Sequence, residues 1–113
     1  MRFKQWIETT QQLEIPLNKL FGWRPKVVES IEDLRVGKLS YTPGPINVSR
    51  LDSPRGAFFV LDGHHRVLEA AEKGQTSISA TIDEYMPRIE RTGGAHKSMV
   101  DEKVPIIQFA QQA

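Results

Sequence analysis

AFFVLDGHHRVLEAAEKG, residues 57–74, decides the fold. Ala57 to Leu61 is a nearly continuous apolar run of strand length, which predicts a β-strand covered on both faces. Asp62 and Gly63 then turn the chain. From His64 onward the period changes: Val67, Leu68, Ala70 and Ala71 share one helical stripe, and Gly74 supplies a stop. An abrupt strand-to-helix turn leaves several backbone N–H groups aimed at one spot, a ready anion site. Asp62 is placed to cap the helix, and Gly63 to let a ligand approach the backbone closely.

The first helical turn carries a conflict. His64, His65 and Arg66 are, or can become, cations, yet a helix N-terminus is itself partly positive. Without an anion each charge costs from a few tenths to about 1 kcal/mol against the dipole. A bound phosphate reverses every sign, because Arg66 can grip its oxygens in a fork and the imidazoles can donate hydrogen bonds. On this reading Gly63, His64, His65 and Arg66 form a phosphate site, and Arg66 is a ligand contact more than a part of the packed fold. A plainer reading stands beside it: Asp62 caps the helix, Arg66 pairs with Glu69 or Asp62, and the histidines lie on the surface.

Outward from this stretch, SISATI (77–82) alternates Ile78, Ala80 and Ile82 as a half-buried strand. YTPGPINV (41–48) turns through Pro43, Gly44 and Pro45 into a strand. SIEDLRVGK (30–38) predicts a helix capped by Ser30, with Asp33 three residues on and a stop at Gly37. FGWRPK (21–26) reads as a loop, and EIPLNKL (14–20) as an extended piece because Pro16 turns Ile15 away from helix. RFKQWIETTQQL (2–13) spaces Phe3, Trp6, Ile7, Thr10 and Leu13 by threes and fours, a helical stripe for the core or for a protein partner. After Tyr85 the pattern weakens into a polar, glycine-bearing loop, and VPIIQF (104–109) is a last strand or a docking segment. The sum is a small α+β domain, a mixed sheet with packed helices around one core.

Composition bounds the function. The chain has 113 residues, 39% hydrophobic and 26% charged, which is enough for one core. A net charge of +1, from 15 basic and 14 acidic residues, excludes a strongly basic nucleic-acid coat but permits a local anion site. The absence of cysteine excludes disulfides, thiolate zinc sites and thiol nucleophiles. Apolar runs stop at about five residues, far short of the ~20 that span a bilayer. No membrane partner is expected, and with no signal-peptide pattern the expected location is cytoplasmic.

The junction resembles the signature of the ParB and sulfiredoxin superfamily, where a Gly-x-His-Arg or Gly-Glu-Arg-Arg turn opens a helix. ESIEDLRVGKL, GPINV, FFVLDGHHRVLEAAEKG and SISATIDEY look like that fold's helix, two strands, signature helix and closing strand, in order. The resemblance implies a ParB/sulfiredoxin-like single domain over 16–85, with an amphipathic helix at 1–15 before it and a loop and C-terminal segment at 86–113 after it. It places His65 and Arg66 where the family's phosphate-gripping pair stands, and His64 where sulfiredoxin has a cysteine. Sulfinic-acid reduction is thereby excluded. The Glu-Asn-x-x-Arg helix and helix-turn-helix of partitioning ParB proteins are lacking, so DGHHR looks most like the serine-kinase-like and small stand-alone members. Kinase chemistry also needs a general base, for which Glu14 or Glu29 would supply the carboxylate.

Other constellations are weaker. TGGAHKS (92–98) departs from a P-loop because His96 stands where glycine must precede Lys97. It reads as a loop whose Lys97 adds charge over a ligand. His64 and His65 point about 100° apart on a helix and make a poor metal pair. A Mg²⁺ ion carried in on a nucleotide and held by Asp62 fits better. Trp6 and Trp23 suit core packing more than base stacking, and Lys19, Arg24 and Lys26 read as a solvated basic cluster. The expected function is binding of ATP or another nucleoside triphosphate with Mg²⁺, with hydrolysis or phosphoryl transfer by His65, Arg66 and Asp62. The alternatives are a module that grips nucleotide or DNA phosphate without breaking a bond, and a ParB-like nuclease.

Overall fold

The computed structural model describes residues 12–38, 44–52, 54–83, 99 and 101–112. It is an α+β single domain built on a six-stranded mixed sheet. In chain order the elements are β1 (Gln12–Pro16), a 3₁₀ turn (Leu17–Lys19), β2 (Leu20–Trp23), α1 (Arg24–Arg35), β3 (Ile46–Arg50), β4 (Phe58–Asp62), α2 (His64–Glu72), β5 (Ser77–Ile82), β6 (Lys103–Pro105) and α3 (Ile106–Gln112). The strand order is β1-β5-β3-β4-β2-β6, with β2 parallel to β4 and β3 parallel to β5.

β4 lies inside the sheet, and its alternation feeds two cores. Val60 joins the main cluster with Ile15, Leu20, Val27, Val48, Val67, Leu68 and Ile106, where the helices pack. Phe59 points to the other face, against Leu51 and Ala57, with Trp23 and Met99 at its edge. The apolar run of the sequence is therefore covered on both faces. Near its end β4 carries one extra residue: Val60 pairs with Val48 and Asp62 with Asn47, which leaves Leu61 as a bulge just before the turn. A bulge bends its strand and re-aims the chain beyond it. Here that chain is the DGHHR turn.

Several local expectations are corrected. α1 starts at Arg24, six residues before Ser30, because Pro25 in the first turn has a preset φ and no N–H to leave unsatisfied. FGWRPK is consequently a strand followed by a helix start. Ser30 is not a cap but a buried mid-helix residue, 1% exposed. The expected helix over 1–15 does not include its last residues, since Gln12–Pro16 pairs antiparallel with β5; Phe3, Trp6, Ile7 and Thr10 lie outside the described residues. The sheet also reaches beyond 16–85 at both ends. β6 pairs with β2 through Phe21, Gly22 and Trp23, and the Trp23 indole donates to Glu102 Oε1 at 2.9 Å. VPIIQF is split, its first residues in β6 and the rest in α3, which buries Ile106.

The helix stops follow expectation. After α1, the Gly37 N–H donates to Leu34 O and the Lys38 N–H to Asp33 O; after α2, Gly74 donates to Ala71 O and Gln75 to Ala70 O. Both are Schellman closures around a glycine of positive φ.

Candidate functional site

α2 opens at Gly63, whose φ of 118° is open to glycine and strained for other residues. Its carbonyl accepts the first intrahelical bond, from Val67 N–H at 3.1 Å. The N–H groups of His64, His65 and Arg66 precede that bond and have no carbonyl one turn back. Asp62 does not cap them. No side-chain cap bond is made to this helix, and Asp62, the last residue of β4, is 76% exposed at its side chain. The bulge and the left-handed glycine turn the chain so tightly that the carboxylate is carried outward.

A cavity of about 230 Å³ lies at this turn, lined by Leu61 to Arg66 together with Lys26, Glu29 and Ser30 of α1. The structure thus places Asp62, Gly63, His64, His65 and Arg66 around one cavity and adds one face of α1. Of the two carboxylates considered as a base, Glu29 lines the cavity. Glu14 sits on β1, where Ser77 and Ser79 donate hydrogen bonds to it and hold its pKa below the ordinary carboxylate value. Lys97 lies outside the described residues.

The charge conflict in the first turn is largely resolved inside the protein. His64 is 8% exposed, and burial, helped by the Lys26 charge, lowers its pKa to about 4, so the ring is neutral at pH 7. His65 Nε2 lies 3.0 Å from Asp33 Oδ2, a partner from α1. Arg66 is half built into the fold: its Nη1 donates to the carbonyls of Gly44 and Pro45, the second at 3.2 Å, and its Nη2 lies 3.8 Å from Asp62 Oδ2. Two side-chain nitrogens stay unused. Among the described residues, His64 Nε2 and Arg66 Nε are buried without a hydrogen-bond partner. A buried polar group left unpaired costs about 1–3 kcal/mol.

Arg66 therefore has a structural role that its sequence position did not announce. Arg66→Ala is expected to lower stability by about 1–3 kcal/mol, since it strips a charged donor from two backbone carbonyls. Urea unfolding at pH 7 checks this, and a midpoint unchanged from wild type would show that the bonds to the 44–45 segment contribute nothing.

Among the described residues no group of three or more His, Cys, Asp or Glu side chains is arranged to hold a metal ion. No helix there is long and apolar enough to cross a membrane. No protein-family model and no curated protein matches the sequence. Among solved structures, the chain is similar to sulfiredoxin from Arabidopsis thaliana, 24% identical over 66% of this chain and 85% of that one, with a TM-score of 0.43. It is also similar to the C-terminally truncated chromosome-partitioning protein ParB from Caulobacter crescentus, complexed with CTP-gamma-S, at 16% identity and a TM-score of 0.46. That match covers 75% of this chain and 54% of the ParB chain.

Proposed function

We propose that the cavity at the DGHHR turn binds the phosphate chain of a nucleoside triphosphate, ATP or another, and that the terminal phosphoryl group is hydrolysed or transferred there. The observation that carries this reading is one polar cavity at a helix N-terminus, lined by Lys26, His64 and Arg66, two of which each keep a buried side-chain nitrogen without a partner, His64 Nε2 and Arg66 Nε. Phosphate oxygens would satisfy both, and the free N–H groups of the first turn would add to them. Lys26 brings a further cation from α1. The cavity suits a phosphate chain in its lining and size.

A Mg²⁺ ion fits this site as a passenger on the nucleotide, since it needs only one or two carboxylates besides phosphates and water. Asp62 and Glu29, which both line the cavity, would hold it. When bound, the ion neutralises charge on the transferred group. The protein's own share is positioning: Arg66 and Lys26 draw the phosphates in, His64 donates as a neutral ring, and His65 stands where charge shifts during transfer. The resemblance of DGHHR to the phosphate-gripping turn of the ParB and sulfiredoxin superfamily supports the same reading.

The test is thermal unfolding with nucleoside di- and triphosphates and with inorganic tripolyphosphate, with and without Mg²⁺. A ligand at about 100 times its dissociation constant adds about 2.7 kcal/mol, which in a domain of this size raises Tm by roughly 10 °C. No shift with any of them at millimolar concentration would overturn the proposal.

A further inference from the structure

The sequence offers only isolated carboxylates as a base for phosphoryl transfer, and the fold supplies a pair that sequence separation hides. Asp33 and His65 are 32 residues apart, on α1 and α2, and their side chains meet at 3.0 Å between Oδ2 and Nε2. Both are partly buried. The carboxylate has a second partner, and its backbone is tied into the helix end. Its Oδ1 lies 3.9 Å from Lys38 Nζ, and the Asp33 backbone carbonyl accepts the Lys38 N–H in the closure of α1. Asp33 accordingly presents one oxygen to the imidazole from a rigid helix end.

We infer that Asp33 and His65 form a general-base dyad: Asp33 positions the ring, and His65 Nδ1 takes the proton of a hydroxyl acceptor, water or an alcohol, that attacks the nucleotide. The inference rests on the phosphate-cavity reading. An ionised carboxylate only accepts hydrogen bonds, so Nε2 must carry the proton in that contact. Nδ1 then holds the lone pair and, with Nε2 engaged by Asp33, is the ring nitrogen that would take a proton; His65 lines the cavity. The same division of labour, with a carboxylate fixing tautomer and orientation and then balancing the imidazolium, operates in hydrolytic triads on unrelated folds. In the step, Nδ1 takes the hydroxyl proton as the oxygen bonds to the terminal phosphorus. The bond from phosphorus to the bridging oxygen breaks, and the nucleoside diphosphate leaves with that electron pair. The imidazolium, neutralised by Asp33, then gives its proton to solvent.

Glu29 is the competing base, and the geometry favours His65. Glu29 lies 3.7 Å from the Lys26 ammonium with its side chain 62% exposed, and nothing in that contact orients it for proton transfer.

The experiment compares wild type, Asp33→Asn and Asp33→Glu for calorimetric binding of Mg·ATP, Mg·GTP and Mg·CTP, and for nucleoside diphosphate formation. Nitrogen-15 spectra of the His65 ring are recorded alongside. Asparagine keeps the shape but can donate as well as accept, so it no longer enforces the tautomer. The dyad predicts an Nε2–H ring in wild type and mixed tautomers in Asp33→Asn. It also predicts affinity within about threefold of wild type, turnover lower by about 10²-fold or more, and partial recovery in Asp33→Glu. Equal turnover in Asp33→Asn overturns the dyad and leaves the nucleotide site standing, as does wild-type binding without turnover. Parallel loss of affinity and rate overturns it in favour of a structural contact. Absence of binding in wild type removes the nucleotide reading itself, and the dyad with it.

Discussion

Gly63→Ala is expected to cost about 2–6 kcal/mol, since a strained backbone conformation costs about 1–3 kcal/mol and overpacking of a core about the same. Both penalties apply at this residue. Its φ of 118° lies in the region where a side chain collides with its own backbone. A Cβ placed there would lie 2.5 Å from Ile46 Cγ2 and 2.8 Å from Ile46 Cβ, and 3.2 Å from Arg66 Nη2. Ile46 cannot yield easily, because it is fully buried at the start of β3 and belongs to the main core. Arg66 can move only by loosening its bonds to the Gly44 and Pro45 carbonyls. A domain of this size has roughly 5–15 kcal/mol in total, so the substitution removes a large part of it. Chemical denaturation read by tryptophan fluorescence measures the loss. A fall below about 1 kcal/mol, less than the backbone penalty alone, would show that the turn relaxes and that the glycine serves ligand approach alone. Gly74→Ala is the matching control: φ is also positive there, at 81°, but no atom lies within 4 Å of the added carbon. Its cost should be limited to the backbone contribution.

The same glycine shows what could be seen in the sequence. The change of period across Asp62 and Gly63, from a continuous apolar strand to a helical stripe, identified the turn without any long-range information. The stops at Gly37 and Gly74 were equally local. What escaped was tertiary. With a helix beginning at Ser30, Lys26 reads as part of a solvated cluster and Asp33 as a capping partner; α1 in fact begins at Arg24. With Pro25 taken as a first-turn proline, Lys26, Glu29, Ser30 and Asp33 fall three and four residues apart on one face. That face is the one that lines the cavity and meets His65. The signal was present, but Gly22 beside Pro25 gives the stretch the composition of a loop. The bond from Arg66 to the 44–45 carbonyls had no local signature at all, since it depends on how β3 enters the sheet beside α2.

His64 is expected to weaken this fold in acid. Its ring packs against Gly22 so closely that a Cβ on that residue would lie 2.8 Å from Nε2 and Cδ2, and burial leaves little room to hydrate a charge. In the unfolded chain the ring takes a proton near pH 6.5, whereas in the fold it does so only near 4. Between those values the unfolded state binds more protons, so stability falls as pH drops from about 6.5 towards 4 and is fully present above that window. The separation corresponds to roughly 3 kcal/mol in all, of which about 2 is lost between pH 7 and pH 5. The other lowered group, Glu14, starts from an ordinary value of 4.5 and acts below it, outside most of this window. Urea unfolding at pH 7 and pH 5 should therefore show a pronounced loss in wild type and little in His64→Gln. Equal losses in the two proteins would assign the acid sensitivity elsewhere. The cavity reading adds a second arm. A phosphate against Nε2 favours the protonated ring, so saturating tripolyphosphate should reduce the wild-type loss and leave His64→Gln unaffected. A ligand that stabilises both proteins equally at both pH values binds away from the ring. The unpaired His64 nitrogen would then be a cost of packing against Gly22 and no part of an anion site.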